Sequence, residues 1–399
     1  MLYQLSYLAW EREAEACWAK ASDRAARRLL ALGSMKALRA AIVVVALLAL
    51  GAALASGGSR ADSVRQRYLP ESNALRRVAT FGTARTVTVH SLGEPEAVRA
   101  NPNWLAAARP LGAGAPAWAR RMYRRSLLVL HALTDERTGA VEAGAREGWS
   151  YVWPRDASTV AIALAAAGYR GEARRIVGFL GGLDLGAAAR FQSDGAPVDG
   201  RAAQGDAAGW IAAAAGAAGL PSAPVKRPWR GLDDYQENGG GDFLANAIAS
   251  GAPHVQTLFE TPSGELARRA GDPSSGLDSA AAWAVRPFPH PALYPLIRRT
   301  LLRLAATSDR FGIVPSEDWD GGIDPWTAPT AWTAWSLAAL GERRAALHLM
   351  AELRRAATPA GMLPERVDAQ TGIPTSTTPL AWSHAFAILA LRQLWPGPK

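Results

Sequence analysis

Tyr151-Val-Trp-Pro-Arg-Asp156 runs directly into an alanine-rich stretch, 157–167, and puts two aromatics, a guanidinium and a carboxylate into six residues ahead of a helix. Charges of this kind are costly to bury unless they are paired or face a polar ligand. Aromatic faces beside fixed hydrogen-bonding charges suit a sugar ring, whose C–H faces stack and whose hydroxyls need partners. An ion pair at a helix start is the plainer reading of the same residues.

The helix that follows breaks at Gly168 and restarts over 172–180, and the same helix–Gly–helix pattern recurs at 331–340, Gly341 and 342–357. Leucines at helical spacing (Leu127, Leu128, Leu130, Leu133) mark a helix over 118–134. Further helices are expected at 207–218, 243–250, 279–285, 291–306 and 382–394, which together make an all-α chain of antiparallel helix pairs. The chemically loaded residues sit in long loops just before the alanine-rich helices, at 149–156, 229–242, 317–326 and 363–383. If those helices form the inner ring of a barrel, small residues let them pack closely and their N-termini converge on one face. A bundle with four unrelated surface loops is the alternative.

The chain has 399 residues, 49% hydrophobic and 20% charged, which is an ordinary globular composition with ample core. Its net charge of +9 is concentrated near the N-terminus, where residues 35–125 hold fourteen Lys and Arg against four acids. The body from residue 126 onward is slightly acidic, and no basic stripe with interleaved aromatics appears, so a nucleic-acid partner is not expected. The single cysteine, Cys17, excludes an internal disulfide framework and a multi-thiolate metal site. His90, His131, His254, His290, His348 and His384 are scattered without metal-ligand spacing. Neither a metal nor another cofactor is expected.

Lys36 and Arg39 precede an apolar run, 40–55, that ends in Ala53-Leu54-Ala55, the layout of an export signal or a short membrane anchor. The expected organisation is a possible upstream extension over 1–34, a signal peptide or anchor over 35–56, and a linker with a short edge strand (Thr86–His90) over 57–116. The main domain occupies 117–399. The body is expected outside the cytoplasm, secreted or tethered through residues 40–56.

Three acidic clusters could carry chemistry. Glu365 lies in Gly361-Met-Leu-Pro-Glu-Arg-Val-Asp368, where Arg366 can hold it ionised as a general base requires. Asp233-Asp-Tyr-Gln-Glu237 precedes Asn238 and three glycines, and crowding of Asp233, Asp234 and Glu237 would raise the pKa of at least one, as suits a general acid. Asp318 and Trp319, in Glu317-Asp-Trp-Asp320, interleave acids with tryptophan. Thirteen tryptophans follow residue 100, and those in loops beside acids are read as sugar-stacking platforms. For each cluster a solvated surface loop is the competing reading.

The chain resembles the glucoamylase-like family of inverting glycoside hydrolases, family 15. Met122-Tyr-Arg-Arg-Ser-Leu-Leu128, Gly148-Trp-Ser-Tyr-Val-Trp-Pro-Arg-Asp-Ala157, Leu363-Pro-Glu-Arg366 and Pro379-Leu-Ala-Trp-Ser-His-Ala385 look like its opening and closing motifs, and the likeness spans roughly 118–395. The resemblance implies an (α/α)6 barrel with its site at the N-termini of the inner helices, and exo-acting hydrolysis of α-linked gluco-oligosaccharides by single displacement. It implies Glu365 as the base that activates water, and Arg155 and Asp156, with Trp153 alongside, as the grip on the terminal sugar; Tyr151 in the same segment is a further candidate for substrate binding. Trp382 belongs to the closing motif, and Gln204-Gly-Asp206 resembles a sugar-contacting motif. The acid motif, approximately Asp-Leu-Trp-Glu-Glu, falls without gaps onto Asp233–Glu237. It places Gln236 at the acid position, and a one-residue slip makes Glu237 the candidate acid. Because glutamine cannot protonate a leaving group, a glycan-binding homologue without hydrolysis is the first alternative. A helical interaction scaffold is the second.

Overall fold

Alanine-rich helices pack with their backbones close together, and six of them close a ring. The computed structural model describes residues 102–144, 148–221, 228–237, 239–308, 310–359 and 361–398, with the strand backbone at 76–80, 87–91 and 98–99. Helices α1 to α11 are, in order, Pro102–Ala106, Ala117–Ala132, Pro154–Ala166, Arg170–Leu180, Ala207–Ala218, Leu244–Ser250, Val255–Phe259, Tyr294–Ala306, Thr327–Ala339, Arg343–Ala356 and Ala381–Leu394. A 3-10 helix, Ser279–Ala284, stands among them.

The inner ring runs α3, α5, α6, the 3-10 helix, α9, α11 and back to α3, each element packed on the next. Most of its members are buried nearly all round, as α3 is from Pro154 to Ala165, while α5, next to the missing outer helix, buries only part of its surface. The outer helices show the apolar stripe of a surface helix. In α4 the buried side chains are Ala173, Ile176, Val177 and Leu180, and in α10 they include Ala346, Leu349, Met350 and Leu353. Among the described residues the outer layer has five helices, α2, α4, α7, α8 and α10, and no outer helix separates α5 from α6. The chain there forms the loop that carries Asp233–Glu237. This is the (α/α)6 arrangement with one outer element replaced by a loop.

The bore of the ring is filled with aromatic rings meeting edge to face. Trp210 and Trp283 lie 5.0 Å apart at 82°, Trp283 and Trp332 5.4 Å at 76°, and Trp332 and Trp382 5.2 Å at 76°. Such pairs stabilise beyond simple area burial. Trp210, Trp283 and Trp332 are therefore core, while Trp382 closes the stack beneath the candidate site.

Most expected helices appear within a few residues of their predicted ends. Helices α3 and α9 begin earlier than the alanine periodicity suggests, because Pro154 and Pro329 occupy first turns, where a missing N–H costs no intrahelical bond. The segment at 279–285 is a 3-10 helix rather than an α-helix. The strand expected at Thr86–His90 is β2 (Val87–Ser91), which is central rather than at an edge, flanked antiparallel by β1 (Arg76–Thr80) and β3 (Val98–Arg99). The hairpin β4 (Ala267–Arg269) and β5 (Asp272–Leu277), with α1 and α7, has no counterpart in the sequence reading. Helix α1 lies within the stretch read as linker, yet its Trp104 stacks between His131 and Tyr169 at 4.1 and 4.2 Å. The apolar run 40–55 lies outside the described residues, among which no helix is long and apolar enough to cross a membrane.

Gly209 shows how tightly the inner helices meet: a Cβ there would stand 1.8 Å from the Ala249 carbonyl oxygen of α6. Gly209→Ala is expected to force α5 and α6 apart and destabilise the fold by about 1–3 kcal/mol. Denaturant titration of the two proteins measures this.

Candidate active site

The inner-helix N-termini open on one pocket. It is lined by Ala143, Trp149, Trp153, Arg155, Asp156, Arg201, Tyr235, Gln236, Glu237, Trp326, Glu365, Leu380 and Trp382. Three of these, Trp153, Trp326 and Leu380, are the residues immediately preceding α3, α9 and α11. Asp206 and Asp278 occupy the same position before α5 and the 3-10 helix, and both bond to pocket residues. The four loops singled out in the sequence do converge.

Arg155 is the fixed cation of the site. Its Nη1 donates to Gln204 Oε1 at 2.7 Å and to Asp206 Oδ2 at 3.1 Å, and its Nη2 lies 3.4 Å from Asp156 Oδ2. The guanidinium sits 4.7 Å over the Trp382 ring. Burial pushes Asp156 up to about 7 despite Arg155, with Asp206 and Glu365 adding repulsion. The buried Asp156 Oδ2 has no hydrogen-bond partner among the described residues, which leaves an acceptor for a ligand hydroxyl.

The turn Asp233–Glu237 is wired from below. The buried Arg268, on β4, grips Asp234 through both carboxylate oxygens at 3.2 and 3.1 Å, and Asp234 Oδ1 accepts the Gln236 N–H at 3.0 Å. Burial raises Asp234 to about 7 against the pull of Arg268. Tyr235 donates its hydroxyl to Asp278 at 2.7 Å and accepts from Gln236 Nε2 at 3.0 Å, while Ser316 donates to Gln236 Oε1 at 3.1 Å. Gln236 is thus fixed at both ends. Glu237 takes a left-handed backbone, φ 58°, which is strained for a side chain of its size. Its carboxylate accepts from Trp153 Nε1 at 2.9 Å and Gln204 Nε2 at 3.2 Å, and pairs with Arg201.

The expected crowding among the three acids is partial: Asp233 adds repulsion to the burial and Asp278 that raise Asp234, and Glu237 stands apart from both. Asp234 turns inward to Arg268, Asp233 accepts backbone N–H groups of its own loop, and Glu237 alone lines the pocket. Asp233 is raised by its own burial.

Glu365 enters from the far side. Trp149 Nε1 donates to its Oε1 at 3.3 Å and Ser376 Oγ donates to its Oε2. Among the described residues these are its side-chain partners, so the expected support from Arg366 gives way to two neutral donors. Its backbone is fastened by Glu365 N to Thr377 O and Thr327 N to Glu365 O, both 2.9 Å. Two residues earlier, Leu363 N donates to His384 Nε2 at 2.9 Å, and His384 Nδ1 meets Ser126 Oγ at 2.9 Å. His384 ties the loop carrying Glu365 to α11 and α2. Burial, then Arg125, pushes its pKa down to about 3.

Of the residues named from the sequence, Trp153, Arg155, Asp156, Gln236, Glu237, Glu365 and Trp382 line the pocket. The rest stand behind or beside it. Gln204 and Asp206 support Arg155, and Tyr151 flanks Trp153 at 6.4 Å. Asp318 Oδ1 lies 2.6 Å from Ser316 Oγ and shares its one proton with Gln236 Oε1, and Trp319 meets Trp326 edge to face at 5.1 Å. Trp149, Tyr235 and Trp326 lie in loops the sequence pointed to, whereas Arg201 and Arg268 carried no signal. Among the described residues no group of three or more His, Cys, Asp or Glu is placed to hold a metal ion.

Known proteins share this architecture. A glycosidase solved in wild-type form superposes with a TM-score of 0.59 at 21% identity, covering 70% of this chain and 99% of its own. A bacterial glucoamylase complexed with acarbose gives 0.58 at 17% identity, over 73% of this chain and 57% of its own. Glucoamylase from Saccharomycopsis fibuligera gives 0.56 at 12% identity, over 72% and 96%. At such identities the likeness is one of fold, and the fold is that of a glucoamylase-like (α/α)6 barrel. The family model for glycosyl hydrolases family 15 matches residues 117–182, the stretch from α2 to the end of α4 that carries Trp153, Arg155 and Asp156. No curated protein matches the chain.

His384 supplies a test of the wiring. Its folded pKa lies below the ordinary 6.5, so its contribution to stability is fully present above pH 6.5 and is lost as pH falls toward 3. Chemical denaturation between pH 7 and pH 4 is expected to show a steeper loss in the wild type than in His384→Gln, which does not titrate in that range.

Proposed function

We propose that the protein is a glycoside hydrolase that removes glucose from the ends of α-linked gluco-oligosaccharides with inversion. The observation that carries this reading is that Glu365 and Glu237, from loops far apart in sequence, line one aromatic-walled pocket together with the Arg155–Asp156 pair. Glu365 has neutral donors and keeps its carboxylate free to accept a proton from water, as a base requires. Glu237, the candidate acid, faces the same space. Tyr235 and Trp382 close the floor, which favours a chain end over the middle of a chain. Trp149 and Trp153 offer faces for sugar rings. The glucose and acarbose bound by a glycosidase variant and by the bacterial glucoamylase are sugar ligands of the same fold, and they support a sugar at this site.

A second reading, a glycan-binding protein with weak hydrolysis or none, has its own observation. Gln236 has no proton to give, and Glu237 is engaged by Trp153, Gln204 and Arg201. Wild type is expected to release glucose from maltose or isomaltose oligosaccharides first as the β-anomer, followed by NMR. Glu365→Gln is expected to lower kcat by roughly 10²–10⁴, the usual worth of a general base. Retained oligosaccharide binding with no glucose release by the wild type selects the second reading. We also propose export from the cytoplasm through residues 35–56, which cell fractionation of the full chain tests.

A further inference from the structure

The loop between α4 and α5 brings one guanidinium, Arg201, into the pocket lining and a second, Arg190, against the aromatic residues beside it. Arg190 lies 4.9 Å over the Tyr151 ring and 5.7 Å over Trp153, and Arg201 lies 5.9 Å over the same Trp153. Two cations against one aromatic wall repel each other. The Arg201 pKa is lowered by its burial and then by Arg190. Arg190 spends its hydrogen bonds on the carbonyls of Gly148 and Asp199, each at a long 3.4 Å, and its buried Nε has no partner among the described residues. Arg201 pairs with Glu237.

That pairing conflicts with the role read for Glu237. A general acid must carry a proton when the leaving group departs, and a guanidinium against its carboxylate favours the opposite state. Protonating Glu237 also strips Arg201 of its paired carboxylate and leaves only the pull of Glu365 and Asp233 against burial and the repulsion of Arg190.

We propose that the group cleaved from the sugar is itself anionic, bearing a carboxylate or phosphate that draws Arg201 off Glu237 and is held by Arg201 and Arg190. This names the substrate class of the site and rests on the reading of Glu365 as base and Glu237 as acid. The guanidinium fork matches either anion through paired N–H donors. In the reaction, water oxygen bonds to the anomeric carbon as Glu365 takes one of its protons. The glycosidic C–O bond breaks with its electron pair passing to the leaving oxygen. Glu237, released by Arg201 and protonated from solvent, gives that oxygen its proton, and the proton on Glu365 returns to solvent. Water is the sole co-reactant, and the anion leaves unchanged.

Maltobionate and maltitol test this, since both carry an α-1,4-glucosyl group on an open-chain residue and differ by a carboxylate in place of CH₂OH. The wild type is expected to show kcat/KM for maltobionate about tenfold or more above that for maltitol at low ionic strength, in line with a charge-assisted hydrogen bond. The ratio is expected to fall toward one in Arg201→Gln and, as a separate variant should that protein fold poorly, in Arg190→Gln. Equal cleavage of the two, faster cleavage of maltitol, or cleavage of maltose without maltobionate overturns the proposal and leaves hydrolysis standing. Failure to cleave any of the three, or isomaltose, overturns the hydrolytic reading together with this one.

Discussion

The close approach of small-residue helices in the inner ring is the constraint on which the rest depends. With Gly209 set against the Ala249 carbonyl, α5 and α6 meet almost backbone to backbone. Alanine along α3 and α9 allows the same for their neighbours. A ring so narrow leaves a bore just wide enough for one column of indoles, which Trp210, Trp283, Trp332 and Trp382 fill edge to face. The column seals one end, so any ligand must sit on top of it, among the residues that lead into the helices. Trp153, Trp326 and Leu380 line the pocket because they stand at those entries.

Buried charge fixes what the ring leaves loose. Arg155 is neutralised by Asp156 and Asp206, and Arg268 by Asp234, so each guanidinium locks a loop that would otherwise rest on turns alone. Breaking either pair strands an uncompensated charge, which costs far more than the pair contributes when intact. The strained backbone at Glu237 persists because Arg268 and Asp234 hold the turn before it. Glu365 is treated differently: the hydrogen bonds that hold it come from two neutral donors, Trp149 and Ser376. The two carboxylates thus face one space in unlike electrostatic settings, Glu237 against a guanidinium and Glu365 against neutral donors.

Much of the fold was legible because helical periodicity and small-residue content are local properties. Helix α5 was read at its observed limits, and the loops feeding α3, α9 and α11 were singled out by their Trp and acid content alone. The hairpin carrying Arg268 escaped, since strands of three and six residues are too short for a period to show, and the segment at 279–285 was read as a helix without its 3-10 form. Arg268 sits in Ala267-Arg-Arg269, which reads as exposed, yet it is 1% accessible because Asp234, far off in sequence, neutralises it. Arg201 left no signal for the same reason, as its partners Trp153 and Glu237 come from two other loops.

The sequence by itself determined the all-helical layout, the alternation of amphipathic and alanine-rich helices, and the identity of the residues bearing charge near their starts. Those follow from side-chain size and spacing along the chain. Only the tertiary structure decided which charges meet. It turned Asp234 away from the pocket and Glu237 into it, gave Glu365 to Trp149 and Ser376 instead of Arg366, and set Arg201 against Glu237. The physical reason is that electrostatic partnership depends on distance in space, and ring closure brings together residues the chain keeps apart.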